Sequence, residues 1–396
     1  MRTWKARVTV GLAVAALVGG VLAPPAAATT KRWARSVGKG LQAVAVDARG
    51  NSYSAGQTDV GNTRGAFLVK FAPDGRKLWT RTWRPSGSQG SYGTAVAIGP
   101  DGNIVWGGAV YGSCEGGGWF LQRVTPKGRV LWTRSQNGWR KCAVATTLTD
   151  IAIGEATIVT SMYDHGCCGD SYADAFVQAF GLGGAASWTR DIEPQGVWKG
   201  FYETATSITI GGFDNVYLAG WAATKLRPGE FVVPGFVFVQ KLSSGGGVLW
   251  QRRVEGSWWR GTEAAVAARG DAVLVTSRVG RKGDAYVARF SVGGDRMWTR
   301  TWGPDPRFGS TPYGISIDGD GTAWVVGQRL DPVDDNPNAF LRTFSPGGAP
   351  TSALVIDARG WLGAFGVDAS GRDSAVAVGW NSRIAQDHGR IWAFRE

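Results

Sequence analysis

After residue 28 the apolar residues alternate in short runs, broken by Gly, Pro, Asp and Asn, and no helical period develops. From Leu41 the alternating run LQAVAVD passes through the turn ARGN into SYSAG, which predicts a tight hairpin. A polar loop, QTDVGNTRG, gives way to AFLVKF, the turn APDGR and then KLWTRTW, a second hairpin. One unit is therefore four antiparallel strands. The third strand, turn and fourth strand return as WFLQRVTPKGRVLWTR, AFVQAFGLGGAASWTR, FVFVQKLSSGGGVLWQR and AYVARFSVGGDRMWTR. A sixth copy, AFLRTFSPGGAPTSAL, carries Ser352 where the others carry tryptophan.

In these fourth strands a tryptophan precedes an arginine by two residues at nearly regular spacing: Trp33/Arg35, Trp79/Arg81, Trp132/Arg134, Trp188/Arg190, Trp250/Arg252 and Trp298/Arg300. A repeat of roughly fifty residues built only of strands predicts a closed ring of similar β-units. The last unit, GAFGVDASGRDSAVAVGW then RIWAFRE, stops after three strands, while KRWARSV near the start is an orphan fourth strand. The two ends complete each other and hide an edge that would otherwise template aggregation. The predicted fold is thus all-β: a seven-bladed β-propeller of four-stranded antiparallel blades. Residues 29–40 close the last blade and residues 41–396 carry the seven repeats of one domain. Small residues such as Ala43, Ala45, Ala95, Ala97, Ala143 and Ala145 suit the crowded innermost strands. On the outermost strand Trp79, Arg81 and Trp83 share a face, and the Trp-x-Arg ladder reads as structural.

The pattern resembles the SBBP family of bacterial β-propeller repeats, in which an apolar strand, Asp-x-x-Gly-Asn, a Val-Tyr-x-x-Gly strand and Asp-Ala-Phe-Val-x-Lys lead to Pro-Asp-Gly-x-x-Trp. VDARGNSYSAG with AFLVKFAPDGRKLW, IGPDGNIVWGG and DNVYLAG carry the match. The resemblance spans residues 29–396 and implies a propeller, with no particular activity, catalytic residue or ligand. TDIAIGEATIVTS in the third unit and the sixth unit depart most from it.

Met1 to Ala28 has the three parts of a secretory leader: Arg2, Lys5 and Arg7, the apolar stretch Val8 to Leu22, and APPAAA ending in an Ala-x-Ala site. Without twin arginines the general secretory route is expected, and no cysteine follows the cleavage site to take a lipid. The expected product is secreted, extracellular or associated with the cell wall, monomeric, and without a membrane span. Gly 60 among 396 residues suits a chain with many tight turns. Removing the leader lowers the formal charge from +12 to +9, and six of the remaining arginines belong to the ladder. Nucleic acid is not an expected partner, and anionic wall polymers fit the balance better.

In a four-stranded blade, the loop between strands two and three and the loop crossing to the next blade share one face. That face receives every cysteine (Cys114, Cys142, Cys167, Cys168) and both histidines, His165 and His388. It also receives Trp139, Trp198, Trp258, Trp259 and Trp361, near the mouth of the central channel. These rings offer flat contact area for a glycan, peptide or cell-wall component, with Arg140, Lys199, Tyr202, Arg260, Glu203 and Glu263 as polar neighbours. The competing account is that the loops fold in and plug the channel. Four cysteines in an exported chain predict disulfides with three possible connectivities; Cys114 with Cys142 is favoured, leaving Cys167 and Cys168 as a vicinal pair or for other partners.

The expected role is non-enzymatic binding or scaffolding, with no cofactor and no metal. His165, Cys167, Cys168 and Asp170 lack the C-x-x-C or H-x-E spacing of a zinc site. The turn at Asp318 to Gly321 opens like a calcium loop, yet Arg329 holds the twelfth position. The acidic loop Asp331 to Asn338 reads as solvated. Two enzymatic alternatives stand beside this. The DGRKLW turn and the vicinal cysteines resemble, thinly, the quinoprotein propellers with their Trp-docking repeats. A secreted glycoside hydrolase would use Glu203 and Glu263, which begin innermost strands of neighbouring blades and could act as a carboxylate pair.

Overall fold

A computed structural model describes residues 29–37, 40–61, 63–112, 117–136, 145–165, 173–194, 203–223, 235–257, 264–280, 283–303, 310–330, 337–357, 362–369, 374–381 and 388–395. Among them are 28 strands and a single-turn 3-10 segment, Gly212–Asp214. No helix among the described residues is long and apolar enough to cross a membrane.

The strands group in fours along the chain. The first group is β2 (Gly40–Val46), β3 (Ser52–Val60), β4 (Thr63–Phe71) and β5 (Lys77–Trp83). It is followed by β6 (Gly90–Ile98), β7 (Ile104–Tyr111), β8 (Gly117–Val124) and β9 (Val130–Ser135), then by β10 (Ala145–Ile153), β11 (Thr157–His165), β12 (Ala173–Gly181) and β13 (Ala186–Asp191). Next come β14 (Glu203–Ile210), β15 (Val216–Ala223), β16 (Gly235–Leu242) and β17 (Val248–Ser257), and β18 (Ala264–Arg269), β19 (Ala272–Val279), β20 (Asp284–Ser291) and β21 (Arg296–Trp302). The last are β22 (Ser310–Ile317), β23 (Ala323–Leu330), β24 (Pro337–Phe344) and β25 (Pro350–Asp357), and β26 (Leu362–Asp368), β27 (Ser374–Asn381) and β28 (His388–Arg395). Each group pairs antiparallel in chain order, and β1 (Thr30–Val37) adds to β28 as the fourth strand of the last sheet. The first two groups are bridged by one parallel pairing, Arg64 with Gly90, and so count as one eight-stranded sheet. First strands lie side by side: β2 beside β6, then β10, β14, β18, β22 and β26, with β26 also beside β2.

Alternation places one face of each sheet against its neighbour, and the buried clusters lie between consecutive sheets. Ala152, Val159 and Ala175 of one sheet pack with Ile208, Val216 and Leu218 of the next. Ala45 and Ala95 are buried there, as small inner-strand residues should be, and Ala145 opens β10. Ala143 lies outside the described residues.

The Trp-x-Arg ladder joins neighbouring sheets. Each indole Nε1 donates to a carbonyl in the turn between strands three and four of the following sheet: Trp33 to Pro73 (2.9 Å), Trp79 to Pro126 (3.1 Å), Trp132 to Leu182 (2.9 Å), Trp188 to Ser244 (3.0 Å), Trp250 to Val292 (3.0 Å) and Trp298 to Pro346 (2.9 Å). Two residues on, the arginine reaches the glycine carbonyl of the same turn, as Arg35 does at Gly75 and Arg134 at Gly184. The guanidinium also lies over its own indole, 5.6 Å from the ring centre in Arg134/Trp132. Gly184 has φ of +82°, and a Cβ there would sit 2.9 Å from the indole, so the turn accepts the ring only with glycine. Ser352 now has a physical reason. The tryptophan it replaces would dock on the turn between the third and fourth strands of the last sheet, where the chain is open between β28 and β1.

Candidate functional site

Apart from Glu203, the residues assigned to the loop-face ligand site from sequence alone fall outside the described residues: Trp139, Arg140, Trp198, Lys199, Tyr202, Trp258, Trp259, Arg260 and Trp361. So do Cys114, Cys142, Cys167, Cys168, Asp170 and Glu263. His165 ends β11 and His388 begins β28. Among the described residues no group of three or more His, Cys, Asp or Glu could hold a metal ion. Asp318 caps its own turn: its Oδ1 accepts from the Asp320 and Thr322 amides at 3.0 and 2.8 Å, and its Oδ2 accepts from the Trp324 indole at 2.9 Å.

The described residues do contain a cavity of about 460 Å³, walled by the innermost strands β2, β6, β10, β14, β18, β22 and β26. Its lining comes mostly from the middle of those strands. A feature not read from sequence shapes it. Six of these strands bulge at the same step, and the extra residue in each lines the cavity: Gln42, Thr94, Thr149, Thr206, Tyr313 and Phe365. The available sign was the glycine in SYSAG, IVWGG and VYLAG. A Cβ on Gly56, Gly108 or Gly220 would lie 1.9, 2.0 or 1.9 Å from a carbonyl oxygen of the facing first strand.

An innermost strand has one edge without a strand partner, and side chains at the cavity wall supply its hydrogen bonds. The hydroxyls of Thr94, Thr149 and Thr206 donate to the carbonyls of Leu148, Ala205 and Ala264 on the next strand, at 2.7, 2.7 and 2.6 Å. Asp150 accepts from the Ile208 amide and the Ser207 hydroxyl, and Asp368 accepts from the Val46 amide at 2.7 Å. Burial pushes both carboxyls up to about 6, against the pull of those hydrogen bonds. The rest of the wall is uncharged, with aliphatic residues and four aromatic rings. Tyr313 and Phe365 lie 4.9 Å apart, Tyr92 stacks on Tyr111 at 5.1 Å, and Tyr163 joins them, so among the described residues Asp150 is the one ionisable carboxylate of the lining.

Glu203 does not share this lining. It is 6 % exposed at the start of β14, and burial, reinforced by the Asp174 and Glu193 carboxylates, pushes it up to about 8. The folded protein therefore holds this proton more tightly than the unfolded chain from about 4.5 to about 8. Stability is greatest below that window and is lost as pH rises through it. Melting scans should show the midpoint falling from pH 5 to pH 8, with Asp150 and Asp368 adding to the acid end of the slope, and Glu203→Gln should flatten it. An equally steep slope in the variant would place the titration elsewhere.

No protein-family model matches the chain, and no curated protein matches it. Solved structures do. The polysaccharide lyase Uly1 is 8% identical with a TM-score of 0.54, covering 89% of each chain. Puromycin hydrolase is 16% identical with a TM-score of 0.52; the match covers 88% of this chain and 51% of that one, so this chain spans about half its length. A protein of unknown function from Dyadobacter fermentans DSM 18053 is 12% identical with a TM-score of 0.51, over 79% of this chain and 96% of that one. At these identities the likeness shows the fold alone: this is an all-β protein of propeller type, built of four-stranded antiparallel sheets.

Proposed function

We propose that the chain is an exported seven-bladed β-propeller that binds a neutral, hydroxyl-rich ligand, a saccharide unit of an extracellular glycan or wall polymer, at its long-loop face. The observation that carries this is the cavity of about 460 Å³, within the size range of small-molecule sites, with aromatic faces and hydroxyls in one wall. Tyr313 and Phe365 would stack on the apolar face of a sugar while Gln42 and the threonines meet its hydroxyls. The predicted loop tryptophans Trp139, Trp198, Trp258, Trp259 and Trp361 would extend the same surface outward. Ring closure is supported by the first strands, which lie beside one another from β2 to β26 and back. The SBBP resemblance and the leader support an exported repeat protein.

The test is calorimetric titration with a panel of neutral oligosaccharides. Phe365→Ala is expected to weaken binding about ten-fold or more, as loss of a buried aromatic contact does at a binding centre. Unchanged affinity in that variant would remove the cavity from the site. A second reading, a glycoside hydrolase, draws on one observation: Glu203 holds its proton at neutral pH as a general acid must. It predicts release of reducing ends from the same panel, abolished by Glu203→Gln.

A further inference from the structure

A second crevice, of about 130 Å³, lies between β21 and the β22–β25 sheet and shares no lining residue with the cavity. Two arginines line it, Arg329 on β23 and Arg342 on β24. Arg342 lies over the Trp302 ring at 5.3 Å, and the buried Ser310 borders the same space. The Arg329 Nε is buried and has no hydrogen-bond partner among the described residues. Among the described residues neither arginine has a carboxylate partner, whereas Arg123 pairs with Asp101 and Arg289 with Asp271. Burial, and then the charge of Arg329, push the Arg342 guanidinium down. Two like charges held together are unfavourable unless a counter-charge lies beside them.

The repeat does not require either arginine. Arg342 stands opposite Ala353, at the register position that holds Gln122, Gln178 and Gln240 in other sheets. In the Gln122 case the side chain serves the fold, accepting from Arg81 at 3.2 Å and from the Trp106 indole at 3.2 Å. Two residues beyond the glycine of the second strand, where Arg329 follows Gly327, two other sheets bury Val110 and Ala222 and the first carries Thr58. Both cations are thus additions to the repeat, brought to one crevice beside an indole.

We propose that this crevice binds a small oxyanion, a carboxylate or sulfate group, between the Arg329 and Arg342 guanidiniums. A guanidinium offers paired donors matched to two oxygens of such a group, and a crevice of this size admits one group with its attached carbon. The anion can arrive free or as the acidic substituent of a polysaccharide, and the site stands whether or not the central cavity takes a neutral sugar.

The probes are inorganic sulfate, glucuronate and a uronate-containing oligosaccharide, titrated at constant ionic strength against tryptophan fluorescence and melting midpoint. Saturable binding to the full chain is expected, weakened about ten-fold or more by Arg342→Gln or Arg329→Gln, the effect of removing one charge-assisted contact. Arg342→Gln installs a residue the fold already uses at this position, so its midpoint without anion should not fall. Arg342→Lys keeps the charge but loses the fork, and should bind more weakly than the parent. Tighter binding of the oligosaccharide than of sulfate would support an acidic glycan as the source; equal binding would support the free anion. Equal responses from the parent and both glutamine variants would overturn the proposal. So would a response that emerges only after Asp331, Asp334 and Asp335 are changed to Asn, because the chain would then supply its own anion.

Discussion

Replacing Gly220 with alanine is expected to cost about 3 kcal/mol or more and to leave little folded protein at growth temperature. The added Cβ would lie 1.9 Å from the Thr204 carbonyl oxygen and 2.8 Å from the Phe238 ring. The first contact is with backbone that is locked into a bulge and bonded, through Thr206, to the next innermost strand, so relief requires moving two sheets. The requirement follows the path of the facing strand, not the repeat: Met162 stands opposite Leu148 at the corresponding place in β11. Gly183, where an added Cβ would meet nothing within 4 Å, is the matched control and should tolerate alanine within about 0.5 kcal/mol. Chemical denaturation of the two variants decides the point, and comparable stability would mean that the bulge relaxes freely.

The second large effect is expected at Trp132. Its half-buried indole donates to the Leu182 carbonyl, covers Gly184 and carries Arg134 on its face, so Trp132→Ala removes a joint between two sheets and leaves a carbonyl and a guanidinium without their packing. A loss of about 2 to 4 kcal/mol is expected, near the range for truncating a large aromatic and below its top because one edge of the ring is wet. Ser352→Trp should add no comparable stability, since among the described residues β28 and β1 pair without a joining turn to receive the ring. A stabilisation of that size in Ser352→Trp would contradict the docking account, as would a neutral Trp132→Ala.

The strand content was legible because its causes are local. Period-two alternation and turn glycines act over a few residues, and the run LQAVAVD-ARGN-SYSAG holds nearly all of β2 and the first half of β3, which continues through Gln57–Val60 into the segment read as a polar loop. The partnership of the two ends was also legible, since an orphan KRWARSV and an incomplete last unit leave one arrangement with no open edge, and β1 does pair with β28. The Trp-x-Arg ladder was recognised as structural, but its acceptor was not. Trp132 and Leu182 are 50 residues apart, and nothing near either residue marks the other. For the site, alternation pointed to the face with the long loops and to its tryptophans, while the described lining is made of Tyr92, Tyr163, Tyr313, Phe365 and a row of threonines. Their spacing in the chain carries no motif, because each comes from a different repeat.

What the amino-acid sequence determined alone is the unit: four strands, their turns, the glycine near the end of most second strands, and an end strand left to close the last sheet. Only the tertiary structure decided which groups meet. It aligned six bulges around one cavity, set Asp150 and Asp368 against amides of the next strand, and brought Arg329 and Arg342 to one crevice. The physical reason is range. Dihedral preference and alternation act between neighbours in the chain, whereas a cavity wall, a desolvated carboxyl and a pair of cations in one crevice exist only between sheets whose contacts span about fifty residues.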